Sequence, residues 1–198
     1  MKNKRENQNK IILDLCGGTG AWSRPYKEAG YDVRNITLPD YDVRTYKPPE
    51  NVYGILAAPP CTMFSLARTR AKTPRDFKQG MEIVIACLKI IWECRYQNKL
   101  TFWSLENPMG YLRQFLGKPV FTFDPCDFGD RYTKKTDLWG YFNKPKKKSI
   151  KLTAKELARC KINNRKLLSI SEITGSKQAD RRAITPRGFA EAFFRANQ

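Results

Sequence analysis

Ile11-Ile12-Leu13-Asp14-Leu15-Cys16-Gly17-Gly18-Thr19-Gly20 is an apolar run that breaks into glycines. The run reads as a buried strand, and the glycines as a tight turn where backbone approaches a ligand that a Cβ would exclude. The spacing is not G-x-G-x-x-G, and no P-loop Lys-Ser/Thr follows, so neither phosphate-binding pattern is matched. Working outward, residues 21–29 read as a helix with Trp22, Tyr26 and Ala29 on one side, closed by Gly30. Weakly patterned residues 31–38 and the apolar residues 52–58 read as strands two and three. Residues 61–75 form a loop rich in Arg, Lys and Thr, followed by the longest helix, 76–97. Its apolar positions Met81, Val84, Ile85, Leu88, Ile91 and Trp92 follow helical spacing. A strand at 101–106, a short helix or turn at 109–116, strands at 120–124 and 137–142 and an amphipathic helix at 188–196 complete the chain. Strand and helix alternate through the first half, which predicts an α/β fold: a mostly parallel sheet with helices on both faces.

Two further strand ends carry chemistry. Val52 to Leu56 leads into Ala57-Ala58-Pro59-Pro60-Cys61-Thr62-Met63-Phe64-Ser65. A rigid Pro-Pro corner at the end of a buried strand delivers Cys61 to the place where open α/β sheets bind ligands. A polar residue before Pro-Pro and an aromatic after it would suit recognition of an exocyclic amine; here those positions are Ala58 and Cys61. A thiol at that point suits covalent attack on a ring carbon instead, the plain alternative being a structural cysteine. Downstream, Phe102-Trp103-Ser104-Leu105-Glu106-Asn107-Pro108 ends in an acid, an amide and a proline. Glu106 is a candidate proton donor to a ring nitrogen if burial raises its pKa, with Asn107 fixing the geometry.

Composition narrows the chemistry further. The 198 residues suit one domain with a small appendage. There is no histidine, which excludes Ser-His-Asp and Cys-His mechanisms, and the six cysteines form no C-x-x-C pair, which argues against a zinc site. The scattered thiols suit a reducing cytoplasm. No apolar run is long enough to span a membrane, and Met1 to Lys10 lacks the apolar core of a signal peptide. The net charge is +18, and Lys144 to Lys166 holds ten Lys/Arg against one acid, Glu156. A polyanion, nucleic acid above all, is the partner this implies; a solvated surface or tail is the alternative.

These residues resemble the DNA (cytosine-5) methyltransferases, in the manner of short phage-type members. Asp14-Leu15-Cys16-Gly17-Gly18-Thr19-Gly20 looks like their cofactor motif, Pro59-Pro60-Cys61 with Phe64-Ser65 like their nucleophile loop, and Glu106-Asn107 like their Glu-Asn-Val. Asp42-Val43-Arg44 falls where the family has an aspartate that meets the cofactor adenine. Phe128-Gly129-Asp130, with Arg131, Tyr132, Lys134 and Lys135, looks more loosely like a further strand of the family. The chain departs from the pattern at Thr62, at Pro108 and at the strand-two acid, where only Thr37 and Asp40 are candidates.

The resemblance implies a Rossmann-like class I fold over 10–142 binding S-adenosylmethionine, with S-adenosylhomocysteine as product. It implies Cys61, Glu106 and Asn107 as catalytic residues, and Asp14, Cys16, Gly17, Gly18, Thr19, Gly20, Asp42, Val43 and Pro59 as cofactor-binding. Ser65, Arg68, Arg70, Arg131 and Lys134 are candidates for contacting double-stranded DNA. The Cys61 thiol is expected to have a depressed pKa, in the positive field of helix dipoles and Arg68 or Arg70. Residues 1–9 read as a disordered basic tail, 143–183 as a basic segment in place of a recognition domain, and 184–198 as a helix packing back on the core. No metal is implied, and the expected state is a cytoplasmic monomer when free. A catalytically degenerate DNA-binding module, or the same chemistry on RNA, are the alternatives.

Overall fold

The computed structural model describes residues 4–69, 71–97, 100–148, 150–163, 167–170, 172 and 179–198. Six strands form one sheet in the order β2-β1-β3-β4-β6-β5: β1 Ile11–Leu15, β2 Asp32–Ile36, β3 Val52–Ala57, β4 Phe102–Pro108, β5 Phe121–Phe123 and β6 Thr136–Tyr141. β2, β1, β3 and β4 pair in parallel, whereas β6 runs antiparallel to both β4 and β5. The sheet is therefore mixed rather than simply parallel, with β6 alone reversed. A mixed sheet of this kind, covered by helices, is compatible with a Rossmann-like methyltransferase fold.

Side-chain alternation along each strand sorts the core into two layers. Leu13, Leu15, Ile55, Ala57 and Leu105 face α3 (Phe77–Tyr96) and α4 (Leu112–Leu116). Ile12, Leu56, Phe102 and Leu138 face α2 (Arg24–Glu28) and the C-terminal α7 (Arg187–Ala196). Phe189 and Phe193 of α7 pack on Trp22, and Phe189 stacks on Phe123 at 4.0 Å between ring centroids. Other helices among the described residues include α1 (Lys4–Asn7), α5 (Ala154–Asn163) and α6 (Ala179–Ala183), and a 3-10 turn spans Pro125–Phe128.

Residues 4–7 form a helical turn, and Asn7 is buried, its Nδ2 donating to Ala29 O at 3.0 Å. One expectation is corrected here. On α3 the sheet-facing side is Val84, Ala86, Cys87, Ile90, Ile91 and Cys94, whereas Ile85 and Trp92 are 45% and 64% exposed. Small residues line the helix where it lies closest to the sheet, so hydrophobic strength alone picks the wrong face.

β1 lies between β2 and β3, so the chain leaves it toward opposite sides of the sheet. The crevice at the carboxyl ends of β1 and β3 is the topological switch point, where such folds bind ligands. The glycine turn and the Pro-Pro corner both open there. They are joined by a hydrogen bond from Ala58 N to Leu15 O at 2.9 Å.

Candidate active site

The turn after β1 is built around a buried carboxyl. Asp14 is fully buried and level with Asn35 of β2. Ser23, from the segment entering α2, donates its hydroxyl to Asp14 Oδ2 at 2.5 Å. Asp14 Oδ1 and Asn35 Oδ1 are buried without a hydrogen-bond partner. Burial raises the Asp14 pKa to about 6, with the Ser23 bonds opposing it. A Cβ at Gly17 would lie 2.3 Å from Asp14 Cγ and 2.5 Å from Asn35 Oδ1, so only glycine fits there. Cys16 takes a positive φ of 57°, and Asn35 Nδ2 donates to Gly18 O at 2.9 Å. The result is a cradle with two orphaned acceptors, chemistry suited to a cationic or N–H-bearing ligand.

Other residues of the expected cofactor set are placed unevenly around it. Gly18, Thr19 and Gly20 form the turn itself, closed by Gly20 N donating to Gly17 O at 2.9 Å. Asp42 is partly exposed and held bidentate by Arg44, which lowers its carboxyl to about 2. Val43 is buried in the α3-side core. Pro59 is buried, and its carbonyl accepts from Asn107 Nδ2 at 2.9 Å. Asn35 was not singled out in the sequence. The acid expected at the end of strand two is absent from β2, and Asn35 is the polar residue that β2 presents beside Asp14.

The second site joins the ends of β3 and β4, which are parallel neighbours. The Asn107–Pro59 bond ties them directly. After Pro60 the chain turns, with Phe64 N and Ser65 N donating to Cys61 O at 2.9 and 2.8 Å. Phe64 is fully buried and packs on Phe77 and Phe115. A Cβ at Gly110 would lie 2.2 Å from Phe64 O; its absence lets the Cys61 loop bridge to the end of β4 through Ser65–Gly110 pairing. Arg75 fastens the loop from above, donating to Met63 O at 2.8 Å and Ser65 O at 2.9 Å while lying over the Tyr111 ring.

Cys61 and Glu106 are thereby brought within electrostatic reach of one another. Burial first, then the Glu106 carboxylate, push the Cys61 thiol up; Lys134 and Arg182 pull it the other way. The expected depressed thiol is therefore corrected: cations do face Cys61, but desolvation and the neighbouring acid outweigh them. Burial, aided by Asp137, also raises Glu106 against the pull of Lys134, in the direction the sequence predicts.

The basic candidates divide. Lys134 sits beside the acid, its Nζ 3.9 Å from Glu106 Oε1, with side chains only 12% and 14% exposed. It bears on the Glu106 carboxyl directly. Arg131 is taken up by Glu156 at 2.6 Å. Arg68 braces its own loop through Thr73 Oγ1 at 2.8 Å, and Ser65 Oγ accepts from Ala67 N at 3.2 Å. Arg70 lies outside the described residues. One structural ion pair was not foreseen: Asp137, fully buried, receives two bonds of 2.6 Å from Arg113 and one of 2.7 Å from Thr122. It is level with Asn107, so a buried charge underpins the row of the sheet that carries the site.

No protein-family model matches the chain. It is similar to the Type II methyltransferase M.AplI of Arthrospira platensis (strain NIES-39 / UTEX 3086 / IAM M-135), 28% identical over 139 residues that cover 60% of this chain and 38% of the relative. The chain thus spans well under half the length of the relative it matches. This likeness supports a methyltransferase. Among the described residues no helix is long and apolar enough to cross a membrane.

Proposed function

We propose that the protein transfers a methyl group from S-adenosylmethionine to C5 of cytosine in DNA, through a covalent bond between Cys61 and C6. The observation that carries this reading is the pairing of Cys61 with Glu106 at the ends of two adjacent parallel strands, beside the glycine cradle at the end of β1.

The cradle fits the cofactor. Asp14 Oδ1 and Asn35 Oδ1 offer acceptors for its N–H groups, and Gly17 leaves the space. S-adenosylmethionine, when bound, supplies an electrophilic methyl. The other steps belong to the chain and the base. The target cytosine leaves the stack to reach the site. The Cys61 sulfur adds to C6 after losing its proton, and the ring's electrons move toward N3, where Glu106 donates a hydrogen bond or a proton. C5, made electron-rich, takes the methyl. Loss of the C5 proton to water restores the C5–C6 double bond as the S–C6 bond breaks. The raised thiol suits this order of events. While Glu106 is anionic it opposes the thiolate; once it is protonated and engaged by the base, Lys134 and Arg182 act on the sulfur with that opposition removed.

Bisulfite sequencing of DNA from cells producing the protein tests the activity and reads its sequence context. Cytosines that resist conversion at recurring sites are expected with the wild type, and none with Cys61→Ser. The variant should lose at least about 10³-fold in rate while binding S-adenosylmethionine as before. Methylation that survives in the serine variant would overturn the covalent role.

A further inference from the structure

The basic run at Lys144 to Lys148 does not hang free. Its start is clasped to the end of α7: Asn143 N donates to Asn197 Oδ1 at 2.7 Å, Asn197 Nδ2 to Asn143 O at 3.0 Å, and Asn143 Nδ2 to Ala196 O at 3.0 Å. Its far end is pinned to the 3-10 turn by Lys148 N donating to Asp127 O at 2.6 Å. Between the clasps Pro145 is buried, and Lys147, its side chain 47% exposed, pairs with Asp127 at 2.9 Å and lies over the Phe121 ring. Lys144, Lys146 and Lys148 are exposed, and make no ion pair among the described residues. With Lys147, and with Arg195, which pairs with Glu191 at 3.9 Å, they line a cavity of about 580 Å³ whose wall holds no acidic side chain.

The C-terminal dipole of α7 is too small a reason for this. Asn143 and Asn197 already satisfy Ala196 O and Phe193 O, and Arg195 supplies a cation in the last turn. Three unpaired lysines fixed on a twice-anchored segment are the arrangement of an anion-binding surface.

Its position identifies the anion. β6 carries the chain from Asp137, level with Asn107, to Tyr141, level with Trp103, so Asn143 lies at the opposite end of the sheet from the catalytic corner. The segment then climbs back along the β5 edge until Lys147 Nζ reaches Thr122 O, and Thr122 is again level with Asp137. The lysines thus follow for about 13 Å the edge of β5, which lies about 10 Å, two strand spacings, from β4. A small anion would need one point; a regular polyanion matches a line of cations.

We propose that Lys144, Lys146 and Lys148 form a rail for the phosphate backbone of duplex DNA flanking the target, several base pairs from the base being modified. This rests on the reading of the protein as a DNA methyltransferase.

The test is fluorescence anisotropy across a salt series. It uses the full chain, one duplex of about 24 base pairs, and a shorter one that ends about two base pairs, about 7 Å, past the target on the rail side and so stops short of the rail. Replacing all three lysines by alanine should weaken binding of the long duplex at least tenfold at low salt and flatten its log–log salt slope by about 3. Binding of the short duplex, cofactor affinity and Tm should be unchanged. The triple arginine variant should keep the wild-type slope. An unchanged slope in the alanine variant, or equal weakening on both duplexes, overturns the rail and leaves the catalytic reading standing. Wild-type protein that binds neither duplex overturns the DNA reading and the rail with it. A lysine-dependent preference for anionic vesicles over the long duplex overturns the choice of partner.

Discussion

The turn after β1 and the corner between β3 and β4 occupy the same end of the sheet, and each buries a carboxyl, yet their polar atoms stand in opposite relations. Around Asp14 two acceptors lie side by side with no donor, and the surrounding backbone is shaped by a glycine that nothing can replace. Around Glu106 the neighbours are a thiol and an ammonium group, all able to exchange or share protons. The first arrangement lacks something that a bound molecule supplies, which is the mark of a binding site. The second is complete in its groups but balanced against itself, as a reaction site must be.

The largest effect that separates them is expected at Asp14. Its folded-state pKa of about 6 lies above the ordinary carboxylate value of 3.8. The sign follows: the folded state binds this proton more tightly than the unfolded state, so its stabilisation is full below pH 3.8 and is lost as pH rises through 6. At about 1.4 kcal/mol per pH decade, the anionic form costs on the order of 3 kcal/mol at neutrality. Asp14→Asn should remove that slope. Urea denaturation of wild type and variant at pH 4 and pH 7 should diverge by about that amount in the variant's favour at the higher pH, while calorimetry shows weaker binding of S-adenosylmethionine. A wild-type pH slope retained in the variant would mean that the unpaired oxygen is not costly, and the contrast with Glu106 would collapse.

Gly17→Ala probes the same cradle by volume. The added methyl meets Asp14 and Asn35, so overpacking should cost about 1–3 kcal/mol. Cofactor binding should fall below detection in the same calorimetric titration. The charges felt at Cys61 are those of Glu106, Lys134 and Arg182, none of them in this turn, so its rate of alkylation should not change. Loss of cofactor binding with an unaltered thiol would show that the two strand ends work as separate units.

How far each end was legible in the sequence follows from the same contrast. Cys61, Glu106 and the glycines announce themselves because strand ends, proline corners and glycine turns are local signals. So does the sheet, up to β6: a short apolar run does not reveal its direction, and only its pairing with β4 does. Asn35 was missed because one polar residue in a weakly patterned strand carries no local mark; its meaning comes from standing level with Asp14 across the sheet. Arg113 and Asp137 are 24 residues apart, and their pairing is likewise a property of register. The lysines of 144–148 were visible as charge, but not as a fixed line, because the clasp depends on Asn197 more than fifty residues away. The thiol was misjudged for a related reason. Basic residues are plain in the sequence, whereas desolvation and an acid on the neighbouring strand are not.

The smallest effect is also the sharpest. If Glu106 holds the Cys61 thiol up, Glu106→Gln removes the negative neighbour and leaves burial, Lys134 and Arg182 in place. The thiol pKa should then fall, and alkylation by iodoacetamide at a fixed pH near 8 should quicken several-fold, although the variant is poorer at methyl transfer. Lys134→Ala should act in reverse, slowing alkylation by withdrawing the nearer positive charge. A structural cysteine that merely shares a crevice with an acid would show neither shift, since each requires the charge to be felt at the sulfur. Opposite movements of one thiol, produced by deleting opposite charges, would place Cys61, Glu106 and Lys134 in a single electrostatic unit, and the turn at Asp14 outside it.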